Sequence, residues 1–189
     1  MNKFLIIGNM NAITYKEIFP LIKDNKMWLG FTVPEDFEQP EGFEKKSLKG
    51  FTRWFTNLVH SKRLDGIYCP ARYKGREDKY PVYDNYDAIE IGHYTKTGKW
   101  EGSLDELPSD YDGVMGVPIT FLDHYSLEQF EILGLFGNFN PKDCTVETAF
   151  VCGSDVSQYN LPGTQNGGVI ITKNGPTALY KRILIRRKK

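Results

Sequence analysis

Hydrophobic residues occur along the chain in short runs between polar segments rich in glycine and proline, a pattern that predicts strands more often than helices. The first run, residues 4–7, is continuously apolar, which is typical of a parallel strand buried on both faces of a sheet. After the break at residues 8–11, Thr14 and Glu17 have the spacing of a capping box, so we expect a helix to begin there. Pro20 should kink or end that helix.

The remaining pattern completes a mixed α/β prediction. Residues 27–32 predict a second strand, joined to the first by a right-handed crossover. Residues 33–50 are polar and predict a long loop, and residues 51–58 predict a strand that pairs antiparallel with 27–32. Further strands are expected at 88–91, 117–122 and 130–135, with a closing antiparallel pair, 169–172 and 178–185, around the turn 173–176. Because a central parallel strand needs neighbours on both sides, the run at 4–7 also predicts further strands of its sheet upstream.

Composition narrows the class of protein. The chain has 189 residues, 40% of them hydrophobic and 25% charged, which suffices for a folded core. A net charge of zero excludes a uniformly basic nucleic-acid binder but not a locally basic one. Cys69, Cys144 and Cys152 are odd in number and form no Cys-x-x-Cys pair, so we expect reduced thiols, no zinc site and a cytoplasmic location. No run is long enough for a signal peptide or a membrane span.

The loop at residues 8–11 follows the first predicted strand and is a candidate for ligand binding. Ligands of open α/β sheets bind beyond the carboxyl ends of the strands. Asn9 and Asn11 lie in this loop, and an asparagine side chain can pair with adenine through two hydrogen bonds. The alternative is that both asparagines only cap the turn.

Two basic segments are candidates for contact with nucleic acid. Residues 45–63 contain six cations and no acid, interleaved with Phe51, Trp54 and Phe55, and residues 181–189 contain six more cations. Cations bind phosphates and aromatic rings stack on bases. The alternatives are a hairpin whose aromatic face lies in the core, and a tail that only aids solubility. The candidate DNA-binding residues are Asn9, Asn11, Lys49, Arg53, Trp54, Phe55, Asn57, Lys62, Arg63, Arg186 and Arg187.

Complete catalytic motifs are absent from the sequence. It contains no Gly-x-Gly-x-x-Gly, no P-loop, no Gly-x-Ser-x-Gly and no His-Glu-x-x-His. His60, His93 and His124 are scattered, as ordinary structural or surface histidines are. We therefore assign no catalytic, cofactor-binding or metal-binding residue to this chain.

Several strings resemble the EcoRI-type adenine-specific DNA methyltransferases. They occur in the order of that family and cover nearly the whole chain: IIGNMNAITYKEIF at 6–19, RWFTNL at 53–58, YDNYDAI at 83–89, DYDGVMGVPITFL at 110–122, EQFEILG at 128–134 and LYKRILI at 179–185. The resemblance implies transfer of a methyl group from S-adenosylmethionine to the exocyclic amine of an adenine flipped out of double-stranded DNA. It also implies that Asn9 and Asn11 face the substrate pocket and that Trp54 or Phe55 stacks on the adenine.

The chain departs from the family pattern at one decisive place. The catalytic Asn-Pro-Pro-Phe loop is missing, and the only Asn-Pro, at residues 140–141, is followed by Lys142. The resemblance thus implies the C-terminal part of a Rossmann-like methyltransferase sheet (residues 1–62) followed by a β-rich target-recognition region (residues 63–189). We expect such a chain to bind no cofactor alone, and to need an N-terminal methyltransferase polypeptide or to self-associate through its exposed sheet edge. The alternative is a non-catalytic DNA-binding or interaction module.

Overall fold

A computed structural model describes residues 2–38, 40–43, 47–48, 50–94, 100–101, 104–145, 148–161 and 167–189. The strands of this part of the chain are β1 Leu5–Asn9, β2 Trp28–Leu29, β3 Thr52–Thr56, β4 Val82–Tyr83, β5 Ala88–Glu90, β6 His93–Tyr94, β7 Trp100–Glu101, β8 Val114–Pro118, β9 Phe130–Gly137, β10 Phe150–Cys152, β11 Val169–Thr172, β12 Gly175–Ala178 and β13 Arg182–Arg187. The α-helix is α1, Phe19–Lys23, and the 3₁₀ segments are Met10–Thr14, Ser61–Arg63, Glu77–Lys79, Leu104–Glu106, Ile119–Asp123, Pro141–Asp143 and Val156–Tyr159.

The first strands form a three-stranded sheet in the order β1-β3-β2. The strand β3 is antiparallel to both neighbours, with Ile7 opposite Trp54 and Leu29 opposite Phe55. The predicted antiparallel pairing of 51–58 with 27–32 is confirmed, although β2 is only two residues long. Since β1 and β2 both run against β3, they are parallel to each other and end at the same edge of the sheet.

The prediction that residues 4–7 form a parallel strand buried on both faces is wrong for this structure. The strand β1 is antiparallel to β3 and lies at the edge of its sheet. Leu5, Ile6 and Ile7 are 55%, 56% and 39% exposed, although successive residues of a strand point to opposite faces. The run is apolar on both faces, but neither face is fully covered by the described residues. Only one edge of β1 is hydrogen-bonded to another described strand.

The helix also begins later than the capping pattern predicts. The backbone after β1 forms the 3₁₀ segment Met10–Thr14, and the Thr14 hydroxyl donates to the Asn11 carbonyl 2.9 Å away. The helix α1 starts at Phe19 with Pro20 in its first turn. Proline is tolerated there because the first amide groups of a helix have no intrahelical acceptor, so Pro20 helps to start the helix instead of ending it. Phe19 and Ile22 are the residues of α1 whose side chains are buried.

The larger sheet has eight strands among the described residues, in the order β10-β9-β13-β8-β5-β4-β11-β12. The interior strand β13 is buried on both faces: Ile183 and Ile185 pack into one apolar cluster and Leu184 into a second one. The first cluster also contains Phe19, Ile22, Leu29 and Phe55, so the two sheets share a core. The predicted division at residues 62 and 63 stays a prediction.

Strand predictions in this region had mixed outcomes. The strands predicted at 88–91 and 130–135 are confirmed as β5 and β9. The strand predicted at 117–122 is wrong, because β8 ends at Pro118 and a 3₁₀ segment follows. The closing pair is also wrong: β11 pairs with the short β12, which Gly175 begins at a φ of 104°, while β13 pairs with β8 and β9. The prediction placed the first half of β12 in the turn and began the second strand at residue 178, four residues before β13 begins.

The expectation of three reduced thiols is contradicted. Cys144 and Cys152 form a disulfide with their Cα atoms 5.7 Å apart, and Cys69 is free. The strand β10 runs parallel to β9 at the edge of the large sheet and brings Cys152 back beside the segment that follows β9. The cytoplasmic location rested on reduced thiols and therefore remains only a prediction. No helix in the described part of the chain is long and apolar enough to cross a membrane.

Candidate functional site

The candidate loop lies at the edge of the three-stranded sheet where β1 and β2 reach their carboxyl ends. Residues Asn9 to Asn11 leave β1 there, and the Met10 amide donates to the Phe51 carbonyl 2.7 Å away, just before β3 begins. The loop is thereby fixed against the start of β3. This edge carries the two asparagines that the sequence analysis named, so it is the candidate functional site.

Both asparagines of the loop are exposed, and their oxygens are engaged inside the protein. The Asn9 Oδ1 accepts from the Asn11 amide at 2.8 Å, which is the capping alternative considered above. The Asn11 Oδ1 accepts from the Tyr180 hydroxyl at 3.3 Å. Within the described residues the side-chain amide nitrogens of both have no recorded acceptor. The loop can therefore donate two hydrogen bonds at this edge.

An exposed aromatic ring stands at the same edge, but it is neither of the two that we named. Phe51 is 64% exposed, whereas Phe55 is 5% exposed and lies in the shared core. Trp54 is half-buried on the opposite face of β3, where its Cβ lies against Gly30. Phe51 precedes β3 and so lies outside the alternation that turns Phe55 inward and Trp54 outward, and no local signal in the sequence identifies it as the free ring.

Arg53 is engaged in an ion pair inside the protein. Its Nε and Nη2 each donate to the Asp123 carboxylate at 2.8 Å, and the Arg53 side chain is 8% exposed. This bidentate pair links β3 to the segment that follows β8. The geometry gives Arg53 a structural role that leaves little of its guanidinium free to contact a phosphate.

Arg63 and Asn57 are also held by neighbouring groups. The Arg63 guanidinium lies 3.9 Å over the Trp28 ring and donates to Asn25, and burial lowers its pKa. The Asn57 side chain accepts from the Phe4 amide at 3.0 Å and donates to the Asn2 carbonyl at 2.9 Å. It thereby clamps the start of β1 to the end of β3.

Three further candidates lie in different places. Lys62 is half-buried beside a small pocket that Trp28, His60 and Tyr125 help to line. Arg186 is exposed and pairs with Glu131 at 2.7 Å. Arg187 stacks over the Phe130 ring at 5.0 Å. Lys49, and with it Lys45 and Lys46, lies outside the described residues.

The candidates thus form separate groups. Tyr180, just before β13, reaches the Asn11 loop, whereas Arg186 and Arg187 lie at the far end of β13, about 20 Å away at the usual rise of a strand. Lys62 lies beside neither end. Within the described residues, no cluster of three or more histidine, cysteine, aspartate or glutamate side chains could hold a metal ion.

A comparison with known protein families assigns the chain to one of them. Its residues 1–188 match the family described as adenine-specific methyltransferase EcoRI, a class of adenine-specific DNA methyltransferases of the restriction-modification type. The chain belongs to this EcoRI-type methyltransferase family, and the resemblance found in the sequence is confirmed.

Individual relatives agree with this assignment. The type II methyltransferase M.EcoRI of Escherichia coli is 42% identical over 161 residues, covering 76% of this chain and 46% of the relative. M.MpnI of Mycoplasma pneumoniae and M.MgeORF184P of Mycoplasma genitalium are 33% and 30% identical, each over 90% of this chain and 56% of the relative. The chain therefore spans about half the length of these curated relatives. No solved structure shows significant similarity to it.

Proposed function

We propose that this chain is the C-terminal, DNA-recognising portion of an S-adenosylmethionine-dependent adenine DNA methyltransferase and transfers no methyl group by itself. The observation that carries the proposal is a family match over residues 1–188 in a sequence that contains no Asn-Pro-Pro-Phe loop. Chemistry at the adenine amine needs a group that accepts its hydrogen bonds while the nitrogen attacks the methyl carbon. No residue of this chain is assigned to that role.

The exposed strand β1 supports a role beside a further polypeptide. Its residues Leu5, Ile6 and Ile7 present apolar side chains on both faces, and its outer edge is unpaired within the described residues. An unpaired apolar edge strand is a template for another strand. In the proposed assembly β1 continues into a larger sheet, supplied by an N-terminal methyltransferase polypeptide or, failing that, by a second copy of this chain.

The edge beyond β1 supports contact with the target base. The side-chain amides of Asn9 and Asn11 can donate to acceptor atoms of adenine, and the Phe51 ring is free to stack on it. Phe51 takes the stacking role that we expected of Trp54 or Phe55. Lys62, Arg186 and Arg187 remain proposed backbone contacts, which position a duplex without specifying its sequence.

S-adenosylmethionine does not fit the pocket found beside Trp28. That pocket has a volume of only about 10 Å³, and Arg63 stacked on Trp28 helps to line it. The cofactor supplies the methyl group in this family, and we assign no residue of this chain to holding it.

Salt-dependent DNA binding tests the proposal. We expect a fluorescent duplex to bind the chain at 50 mM salt and the logarithm of its affinity to fall linearly with the logarithm of salt concentration. Each phosphate contact should contribute a slope of about −0.9 through release of counterions. Anisotropy at three or more salt concentrations measures the slope. Absence of binding at 50 mM salt would remove the DNA-recognising role.

A further inference from the structure

A short turn in the large-sheet region presents cations that the sequence analysis did not single out. The Arg76 amide donates to the Tyr73 carbonyl at 2.9 Å, with Lys74 and Gly75 between them. Gly75 has a φ of 79°, and a Cβ added there would meet nothing, so it is the exposed apex of the turn. Arg72, Lys74 and Arg76 are all exposed. These residues, 72–76, are called the basic turn.

The basic turn is held in place from below. The Asp110 carboxylate accepts from the Tyr73 amide at 2.6 Å, and this bond lowers the Asp110 pKa. The Tyr73 ring packs against Tyr80 and Tyr111, with ring centroids 5.5 Å and 4.5 Å apart. An exposed turn with a fixed base loses little conformational freedom when it binds a ligand.

The neighbouring acids offset only part of the charge of the basic turn, because Glu77 and Asp110 keep their negative charges while they accept hydrogen bonds from backbone amides, and Asp110 also interacts with the charge of Arg72. The Glu77 side chain accepts from the Gly75 amide at 2.9 Å, and Asp78 pairs with Lys173. Asp110 is directed at the Tyr73 amide. Arg72, Lys74 and Arg76 form no ion pair within the described part of the chain. With three cations against the carboxylates of Glu77 and Asp110, the turn keeps a net positive charge, which attracts a polyanion.

The basic turn lies close to the C-terminal tail. Ala71 bridges to Pro108 and accepts from the Ser109 amide at 2.9 Å, while Arg187 donates to the Pro108 carbonyl at 3.1 Å. A second link passes through Gln129, whose side chain donates to the Ile67 carbonyl and whose own carbonyl accepts from the Lys188 amide, at 2.9 Å and 2.8 Å.

The surface around these links is suited to phosphate. Lys188 and Lys189 are exposed at the end of the chain. Tyr68 is 80% exposed beside Ile67, and a tyrosine hydroxyl is a frequent donor to phosphate oxygens. The tail and the basic turn, far apart in sequence, thus form one basic surface at the C-terminal end of β13.

We propose that the basic turn and the residues Lys188 and Lys189 bind the phosphate backbone of double-stranded DNA beside the target site. The inference rests on the proposed function and deepens it. The loop at Asn9 to Asn11 adjoins the N-terminal end of β13 through Tyr180. The basic surface lies about 20 Å away along β13, a separation of about six base pairs at 3.4 Å per base pair. It therefore contacts the flank of the site and not the flipped base.

The test compares Lys74→Gln/Arg76→Gln with the matched double variant Lys3→Gln/Lys142→Gln, which removes two exposed cations elsewhere. Loss of two phosphate contacts should reduce the salt slope by about 1.8. At 0.1 M salt, with 1 M as reference, this corresponds to about sixty-fold weaker binding. We expect the control to bind like the wild type, and equal urea midpoints to show that all proteins are folded.

The outcomes separate the inference from the proposed function. If the wild type binds no duplex, the proposed function fails. If it binds and the turn variant has the same affinity and salt slope, only the inference is overturned. An equal loss in the control variant overturns it as well, since the effect would then be one of net charge. The same titrations are made with single-stranded RNA. The loss of affinity caused by the turn variant must be smaller for this RNA than for duplex DNA.

Discussion

Arg182→Met is expected to lower the free energy of unfolding by about 3–5 kcal/mol at pH 8, because it leaves a buried carboxylate without its counter-charge. The Arg182 Nε donates to the Glu90 Oε1 at 2.6 Å, and the two side chains are 3% and 0% exposed. The Tyr83 hydroxyl donates to the other oxygen of Glu90. This network joins β4, β5 and β13 inside the large sheet. Urea unfolding followed by tryptophan fluorescence measures the loss.

The same strand provides a matched control. Arg186 also lies on β13 and also pairs with a glutamate, Glu131, but both side chains are well exposed. Arg186→Met should cost no more than about 1 kcal/mol. The triple variant Tyr83→Phe/Glu90→Leu/Arg182→Met should recover most of the stability, since apolar residues often replace a buried ion pair without loss. Equal effects of Arg182→Met and Arg186→Met would contradict the structural role of the buried pair.

The pH dependence follows from the same site. Burial raises the pKa of Glu90 from 4.5 to about 7, against the opposing effects of Arg182 and Tyr83. Between these two pH values the folded chain binds more protons at Glu90 than the unfolded chain does. The contribution of Glu90 to stability is therefore complete below pH 4.5 and declines as the pH rises through 7. Glu90→Gln should lack this component when urea midpoints at pH 5 and pH 8 are compared.

Gly116→Ala is expected to cost about 3 kcal/mol or more, because the Tyr83 ring crosses over Gly116 to reach Glu90. A Cβ at Gly116 would lie 2.5 Å from the Tyr83 Cζ and 2.9 Å from its Cε2. The ring cannot move aside, since it packs edge-on against Phe136 with centroids 4.7 Å apart and is bonded to Glu90. Overpacking of a closed core strains side chains and backbone. Thermal or urea unfolding measures the effect.

Two comparisons make the Gly116 prediction specific. Gly66→Ala would place a Cβ 3.3 Å from the Gln129 Nε2, so the Gln129 amide, which is bonded to Ile67, must shift by only a few tenths of an ångström, and the change should cost less than about 1 kcal/mol. Tyr83→Ala should cost less in the Gly116→Ala background than in the wild type, because it removes the clash. A Gly116→Ala variant as stable as Gly66→Ala would show that Tyr83 does not occupy this position.

The sequence predicted those parts of the fold that local patterns determine. The apolar alternation of residues 51–58 and the apolar run at 130–135 correctly predict β3 and β9. The orientation of β1 was not predictable, because an apolar run does not show which strand lies beside it. Pro20 was misinterpreted because proline ends a helix in its interior but starts one in its first turn. Its position depended on where the helix began.

The candidate site was only partly predictable for a related reason. Asn9 and Asn11 were named because they follow a predicted strand, and they do lie at the end of β1, while their role stays a prediction. Arg53 and Phe55 share the inward face of β3, which strand alternation could have shown. The partner of Arg53, Asp123, lies 70 residues away along the chain, and no local pattern reveals such a pair. The basic turn escaped notice because the acids Glu77 and Asp78 directly follow its cations, and only the structure shows that Asp78 pairs with Lys173 instead.

Methyl transfer from labelled S-adenosylmethionine to duplex DNA tests the central claim most directly. The chain is assayed alone and mixed with a polypeptide that comprises the part of Escherichia coli M.EcoRI outside the matched segment, with full-length M.EcoRI as the positive control. We expect label to enter adenine in the mixture and with the control, and not with the chain alone. Labelled adenine produced by these 189 residues alone would contradict a divided active site.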